Sequence, residues 1–475
     1  MAGSGATYTD VTRDNIVALA AGIRRQIAQA KFVAVDTEFT GLVIGNASPV
    51  FRFNTAEWVT RATDMRERYR AMANVAKTHA LVSMGLTVFA QRHTALGSYN
   101  VHSFNFLLQA QNTHLVNPTS LAFLAQNGFD LGRQATHGIR YFAGPNPHPV
   151  QVMTPEINAE GALVREIFLD VVRTRRPLVV HNGLFDLVYL YQSFFGPLPD
   201  THESFVSDLC EMFPGGIFDT KLIAEAADPG TASYLAYLYH KSRRTQRRRR
   251  EAGDPAVQAR LKVMVLRPAP ALPSPPPPPP PQSAAASEKP YCEQFALHGH
   301  CRLRERCPRS HDIEFILDCQ EREPAPEPAP EQPAPARKRK GSGTDGGDRP
   351  RKAPRANGSG SAPRASSPEP AQQAAEIETL SISEDGGSGG ARQAEYHTAA
   401  YDAYMTGYVF ASLRLLLGDR LDAHRNKVYR MGRSSEPLLI RASPYSATSV
   451  TYRQTAPLLG EQPPPGSPGP ADPGA

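Results

Sequence analysis

The chain has 475 residues, a formal charge of only +6, 44 prolines, 36 glycines and five cysteines. Many of the prolines and glycines fall between about Pro268 and Gly390, so the capacity for a large packed core lies in residues 1–240. Five cysteines exclude a disulfide framework, no apolar run nears the ~18 residues of a membrane span, and residues 1–5 lack a secretory start, so a soluble intracellular protein is expected.

Ile16, Leu19, Ile23 and Ile27 recur at helical spacing and predict an amphipathic helix over 14–30. It feeds the run Phe32-Val33-Ala34-Val35-Asp36-Thr37-Glu38-Phe39-Thr40-Gly41, an apolar strand that turns acidic at its end. Residues i and i+2 of a strand share a face, so Asp36 and Glu38 project side by side. Two such carboxylates are costly unless positive charge sits between them, and a pair of divalent cations is the natural occupant.

A charged helix is expected around 64–70, strands over 80–89 and 99–108, and a helix over 155–173. A buried strand over 177–181 and a helix over 183–195 follow, and the alternation indicates an α/β sandwich on a mixed central sheet. After Tyr239 the composition changes. Residues 241–250 hold seven basic side chains in ten, residues 275–281 are an unbroken proline run, and 320–390 has the composition of disorder. Order is expected to return over 396–417, with Tyr401, Tyr404, Tyr408, Ala411 and Leu415 marking a helix face. The expected division is therefore 1–240 for the first part of a core, 241–289 for a basic and proline-rich linker, and 290–318 for a metal finger. A disordered linker over 319–390, the last core helix over 391–432 and a disordered tail over 433–475 complete it.

Cleavage of a phosphodiester by two metals needs carboxylates to hold the ions and a base to prepare water. Asp36, Glu38, Asp186 and Asp402 supply the carboxylates, and His397 supplies a base that titrates near neutrality. Five residues turn a helix by ~500°, so His397 should lie in the loop entering the helix, with Asp402 one turn inside. Taken singly, Asp186 also fits a surface ion pair, and His397 a cap. Asp219 is a rival fourth carboxylate, for which a cap on the following helix is favoured.

The set resembles the DEDDh exonucleases, whose motifs are Asp-x-Glu, a later Asp behind a strand, and His-x4-Asp. The flanks Asp36-Thr37-Glu38-Phe39-Thr40-Gly41, His181-Asn182-Gly183-Leu184-Phe185-Asp186 and Phe218-Asp219-Thr220-Lys221 look like the branch containing poly(A)-specific ribonuclease. The likeness covers roughly 10–240 and 395–432, and stretches 176–184, 208–214 and 401–409 are similar to nuclear deadenylases of that branch that carry a CCCH finger. It implies a ribonuclease H-like fold and 3′-to-5′ removal of adenosines from RNA tails with two Mg²⁺ per site, releasing 5′-AMP. It also implies small nuclear RNA 3′-end maturation within nuclear RNA-processing complexes, in the nucleus, nucleolus, Cajal bodies and speckles. Phe39 and Asn182 match positions that contact the terminal nucleotide in relatives, although Phe39 also fits a core aromatic. The alternative is a catalytically silent RNA-binding scaffold.

Cys292, Cys301, Cys307 and His311 follow C-x8-C-x5-C-x3-H, the donor set of a closed, structural zinc site. The finger resembles the CCCH class, which binds single-stranded RNA by stacking. Tyr291 and Phe295 are candidate platforms, each stack worth ~1–3 kcal/mol, with Arg302, Arg304, Arg306 and Arg309 for phosphates. His300 stands where a second aromatic is usual, and a finger that packs on protein is the competing reading. Arg337, Lys338, Arg339 and Lys340, with Arg349, Arg351 and Lys352, fit a two-part nuclear import signal or a non-specific RNA contact.

Overall fold

The structure is a computed structural model that describes residues 8–42, 64–92, 97–144, 155–262, 291–303, 306–322, 398–430 and 436–460. Its strands are β1 (Thr9–Val11), β2 (Phe32–Phe39), β3 (Leu81–Gln91), β4 (Ser98–Ala110), β5 (Ile139–Tyr141), β6 (Leu178–Val180), β7 (Ile217–Asp219), β8 (Gln258–Lys262), β9 (Lys427–Val428) and β10 (Leu438–Leu439). They form one mixed sheet along the path β1-β4-β3-β2-β6-β7-β9-β10. Strand β2 runs antiparallel to β3 and parallel to β6, which places the acidic strand at the centre. One edge of the long β4 serves three short parallel neighbours in turn: β8 beside residues 98–102, β1 beside 104–106 and β5 beside 108–110.

The helices in chain order are α1 (Ile16–Ala28), α2 (Met65–Thr78), α3 (Pro118–Gln126), α4 (Leu131–His137), α5 (Pro155–Arg173), α6 (Leu184–Leu190) and α7 (His202–Met212). They continue with α8 (Thr220–Ala227), α9 (Leu235–Glu251), α10 (Glu293–His298), α11 (Ile313–Arg322), α12 (Ala399–Leu417), α13 (Tyr445–Thr448) and α14 (Val450–Thr455). The period of two in β2 separates two cores. Val33 and Val35 join the one built by α1, α2, α5, α6 and α7, while Phe32 and Ala34 join the one built by α8, α9, α12 and the finger. The expected sandwich is therefore what forms.

Helix α12 arrives from beyond residue 397, and its start is fixed to the sheet at several points. Thr398 caps it, accepting from the Tyr401 N–H. Ser103 Oγ donates to the Ala400 carbonyl at 2.9 Å. Gly85 lies so close that a Cβ there would come within 1.9 Å of the Ala399 oxygen, so no larger residue fits without moving the helix.

Three expected boundaries need correction. Residues 241–251 are not linker: they continue α9, and 258–262 form β8. The run hid its helix because polar Arg244 and Gln246 are buried at positions where an apolar residue would be sought. The finger's ordered part runs on through Arg322, past the expected end at 318. Nor is all of 433–475 a disordered tail, since Leu438, Ile440, Tyr452 and Ala456 pack into the first core. Ser449 Oγ also donates to Asp208 Oδ2 at 2.7 Å there. Those elements are too short to show a period. The expected linker stretches 263–290 and 323–390, with the import signal, lie outside the described residues.

Candidate active site

Asp36 sits opposite Gly85 in the β2–β3 ladder, and the register shifts between Glu38 and Phe39, just where the strand ends. By parity Asp36 and Glu38 share the face of Phe32 and Ala34, the one that α12 covers. Asp402 lies in the first turn of α12. Ligand oxygens from Asp36, Glu38 and Asp402 lie within 4.8 Å of one another. Asp186, in the first turn of α6, stands just outside that trio, its Oδ1 accepting from Thr37 Oγ1 at 2.5 Å. Thr37 thus faces away from its two acidic neighbours in β2 and holds the fourth carboxylate beside them.

Like charges in a half-dry pocket raise one another's pKa. Burial first, then Asp186, Asp402 and Glu38, push Asp36 well above the usual carboxylate range. Glu38 is pushed up by burial, then by Asp402 and Asp186. Burial pushes Asp402 up to about 7 and Asp186 to about 6, the latter moderated by the Thr37 hydroxyl. Asp402 Oδ1 is buried and accepts no hydrogen bond from the described residues. Four acids with a vacant buried oxygen are an all-oxygen donor set suited to a hard divalent cation such as Mg²⁺, and they fit it.

Asp219 belongs to the frame. It is fully buried, caps α8 through the Lys221 N–H, and accepts from the N–H groups of Asn182, Gly183 and Tyr429. That bracket holds the β6–α6 turn, where Asn182 adopts φ +54° and leaves its own Oδ1 buried without a donor among the described residues. Phe39 is half-buried, its ring 4.4 Å from that of Tyr189, whose hydroxyl donates to the Gly41 carbonyl at 2.7 Å. His397, immediately before the Thr398 cap, lies outside the described residues. Thr37 and Gly85 were missed from sequence. A lone glycine inside an apolar strand run was the available signal for close backbone approach.

The finger ligands also meet: donor atoms of Cys292, Cys301, Cys307 and His311 lie within 4.8 Å of one another. Burial and then the adjacent Cys301 and Cys307 thiols push Cys292 up to about 11, a crowding that a thiolate-binding cation such as Zn²⁺ would relieve. The stacking platforms, however, are not available. Phe295 is 0% exposed, stacked on His311 at 4.4 Å and edge-on to Tyr234 of the core, and Tyr291 is buried with it. Both rings are consumed by packing, which corrects the expectation that they receive bases. Arg302, Arg306 and Arg309 remain exposed, and Arg304 lies outside the described residues.

The finger is docked on α9. Gly299 lies against the Tyr234 ring, and Tyr237 Oη donates to Gln320 Oε1 at 2.9 Å. His240 meets Glu314 at 2.5 Å, and Arg244, only 8% exposed, reaches Glu314 and Asp318. Arg248 pairs with Glu321. Helix α9 in turn packs on α12, where Tyr239 meets Tyr401, Tyr404 and Tyr408 edge-on at 5.4–6.1 Å.

The sequence pattern of the CAF1 family ribonuclease matches residues 11–160 and 153–410. Probable CCR4-associated factor 1 homolog 5 of Arabidopsis thaliana is 27% identical over 223 residues, covering 45% of this chain and 65% of its own. The pre-piRNA 3′-exonuclease trimmer of Bombyx mori is 21% identical over 319 residues, 46% of this chain and 58% of its own. Human poly(A)-specific ribonuclease PNLDC1 is 36% identical over 69 residues, 14% and 13% of the two chains. This chain thus spans less than two thirds of the length of these curated relatives. Among solved structures, S. pombe Pop2p in its Mg²⁺ and Mn²⁺ bound form is 20% identical, covering 46% of this chain and 76% of its own, with a TM-score of 0.33.

Proposed function

The chain belongs to the CAF1 family of ribonucleases, and on that premise we propose that it is a 3′-to-5′ exoribonuclease that removes adenosine tails from RNA and releases 5′-AMP. The observation that carries this is the convergence of Asp36, Glu38 and Asp402, with Asp186 beside them, at the end of the central strand. Relatives named poly(A)-specific ribonuclease, from human and Xenopus laevis, support the choice of tail.

Two Mg²⁺ held by Asp36, Glu38, Asp186 and Asp402 would activate the attacking water and steady the leaving oxygen. The rest falls to the chain. The carboxylates must shed their protons before they can hold cations, so raised pKa values tie loading to pH. Thr37 fixes Asp186, and the Gly85–Ala399 contact fixes the height of Asp402 over the strand. His397, next to the helix cap, would take the proton from water. Asn182 Oδ1, lacking a donor among the described residues, is suited to the exocyclic amino group of adenine, and Phe39 to the face of the terminal base.

The test is digestion of 5′-labelled RNA ending in twenty adenosines beside one ending in twenty uridines, with Mg²⁺ or without it, for the wild type and Asp36→Ala. A Mg²⁺-dependent ladder on the adenosine tail that disappears in the variant is expected. Absence of a ladder from folded wild-type protein overturns the assignment in favour of an RNA-binding scaffold. For natural targets we propose small nuclear RNA precursors in the nucleus, on the strength of the resemblance to finger-bearing nuclear deadenylases and the basic run at 337–340. Sequencing of small nuclear RNA 3′ ends after depletion should show added adenosines, and unchanged ends would remove that part.

A further inference from the structure

Seven basic residues on α9 divide by helical angle into groups with different fates. Arg244 and Arg248 face the finger and are paired with Glu314, Asp318 and Glu321. Lys241 pairs with Asp228 at 2.7 Å, and Arg249 Nε donates to the Pro255 carbonyl. Arg243, Arg247 and Arg250 stand at i, i+4 and i+7, within ~60° of one another around the helix and ~10 Å along it. All three are exposed, and none has a carboxylate partner among the described residues. Like charges at these spacings destabilise a helix by ~0.2–0.5 kcal/mol per pair, so the stripe weakens the element that carries it. An ordinary solvated face would mix in acidic residues, as the finger side of the same helix interface does.

Position gives the stripe a use. The Arg243 guanidinium lies 5.6 Å from the Tyr239 ring, and Tyr239 is edge-on to Tyr401, which directly precedes Asp402. The stripe therefore starts beside the opening turn of α12 and leads away from the carboxylate cluster along α9, with the docked finger on its flank. We propose that Arg243, Arg247 and Arg250 form a phosphate track for the single-stranded RNA lying 5′ of the nucleotides being removed. The assignment rests on the nuclease function proposed above and adds to it a sequence-independent grip outside the site. A single-stranded track contributes ~0.7 to the salt slope per phosphate engaged, so three arginines account for a slope of about 2.

The test uses the full chain with zinc bound. On an Asp36→Ala background, affinity for a 40-nucleotide RNA is measured across a salt series, with and without the triple change R243Q/R247Q/R250Q. The glutamine triple should weaken binding and lower the slope of log K against log salt by about 2. The lysine triple R243K/R247K/R250K should keep most of the slope, which separates charge from misfolding. On the cleavage-competent background, the loss in kcat/KM should be about tenfold for the 40-nucleotide RNA and less than threefold for a six-adenosine substrate. An unchanged salt slope overturns the track, and so does an equal loss on both lengths. The binding series reads the track even if wild-type protein trims no adenosine tail, so failure of one proposal is distinguishable from failure of the other.

Discussion

Asp36, Glu38 and Asp402 come from opposite ends of the chain and meet because a sheet and a helix carry them there, whereas Cys292, Cys301, Cys307 and His311 meet within one short segment. The carboxylate group is held by its surroundings against its own repulsion: Gly85 admits α12, Thr37 restrains Asp186, and burial raises every acid. The finger has few residues of its own to bury, and it leans on α9 through Tyr234, Tyr237, His240 and Arg244. One cluster is strained and kept by a stable fold. The other is a short segment whose four donors fit one ion and whose aromatic packing is shared with its neighbour.

Asp402→Asn is the largest test of that contrast. Loss of a metal ligand should lower the rate at least ~10³-fold, about 4 kcal/mol of barrier. The cation-free protein should meanwhile melt no lower than wild type, because a repelled buried carboxylate has gone. Single-turnover cleavage and a thermal melt without cations read the two halves, and a fall in both would mean that the cluster is not strained. Cys301→Ser should do the reverse to stability, lowering the melting temperature of the whole unit by about 5–10 °C, or roughly 2–3 kcal/mol. A core melt unmoved by zinc loss would show that the docking on α9 contributes nothing. Arg244→Met should cost about 1–2 kcal/mol by urea unfolding, since Glu314 and Asp318 are half-exposed and regain water when it leaves. A change under ~0.3 kcal/mol would mean the finger is held by its apolar contacts alone.

Acidity separates the regions by sign. The active-site acids have raised folded pKa values, about 6 for Asp186 and about 7 for Asp402. Between ~4 and ~7 the folded protein therefore binds more protons than the unfolded chain, and without cations its stability should fall as pH rises through that window. Mg²⁺ should restore it most at the upper end. Glu314 moves the other way, held down at about 2 by the hydrogen bond from His240 and then by Arg244. Its contribution is present above ~4.5 and is lost as pH falls toward 2. Melts from pH 3 to 8 for the wild type and Glu314→Gln should differ above ~4.5 and converge toward the acidic end, and a difference that is largest at pH 3 would contradict this assignment.

The parts legible in the sequence were those whose signal is local. Asp36 and Glu38 announce themselves by parity within one strand, the finger ligands by spacing, α1 and α5 by apolar period, and β3 by a strand-like run. What was not legible depends on partners distant in sequence. Tyr291 and Phe295 have the composition of an RNA platform, and only the Tyr234 and His311 rings against Phe295 reveal a core. Arg244 has the look of a solvated charge until Glu314 and Asp318 are found across from it. The buried groups near Asp208 are completed by Ser449, from a region whose prolines and glycines masked it.

The seating of α12 on Gly85 also has a consequence for biosynthesis. Three of the acids have been synthesised once the ribosome has passed residue 186, but the fourth is among the last parts of the core to be made. A nascent chain of that length, or the product of a message stopped between codons 187 and 398, thus carries Asp36, Glu38 and Asp186 with no helix to close over them. Synthesis itself withholds the complete acid set until most of the core has been made.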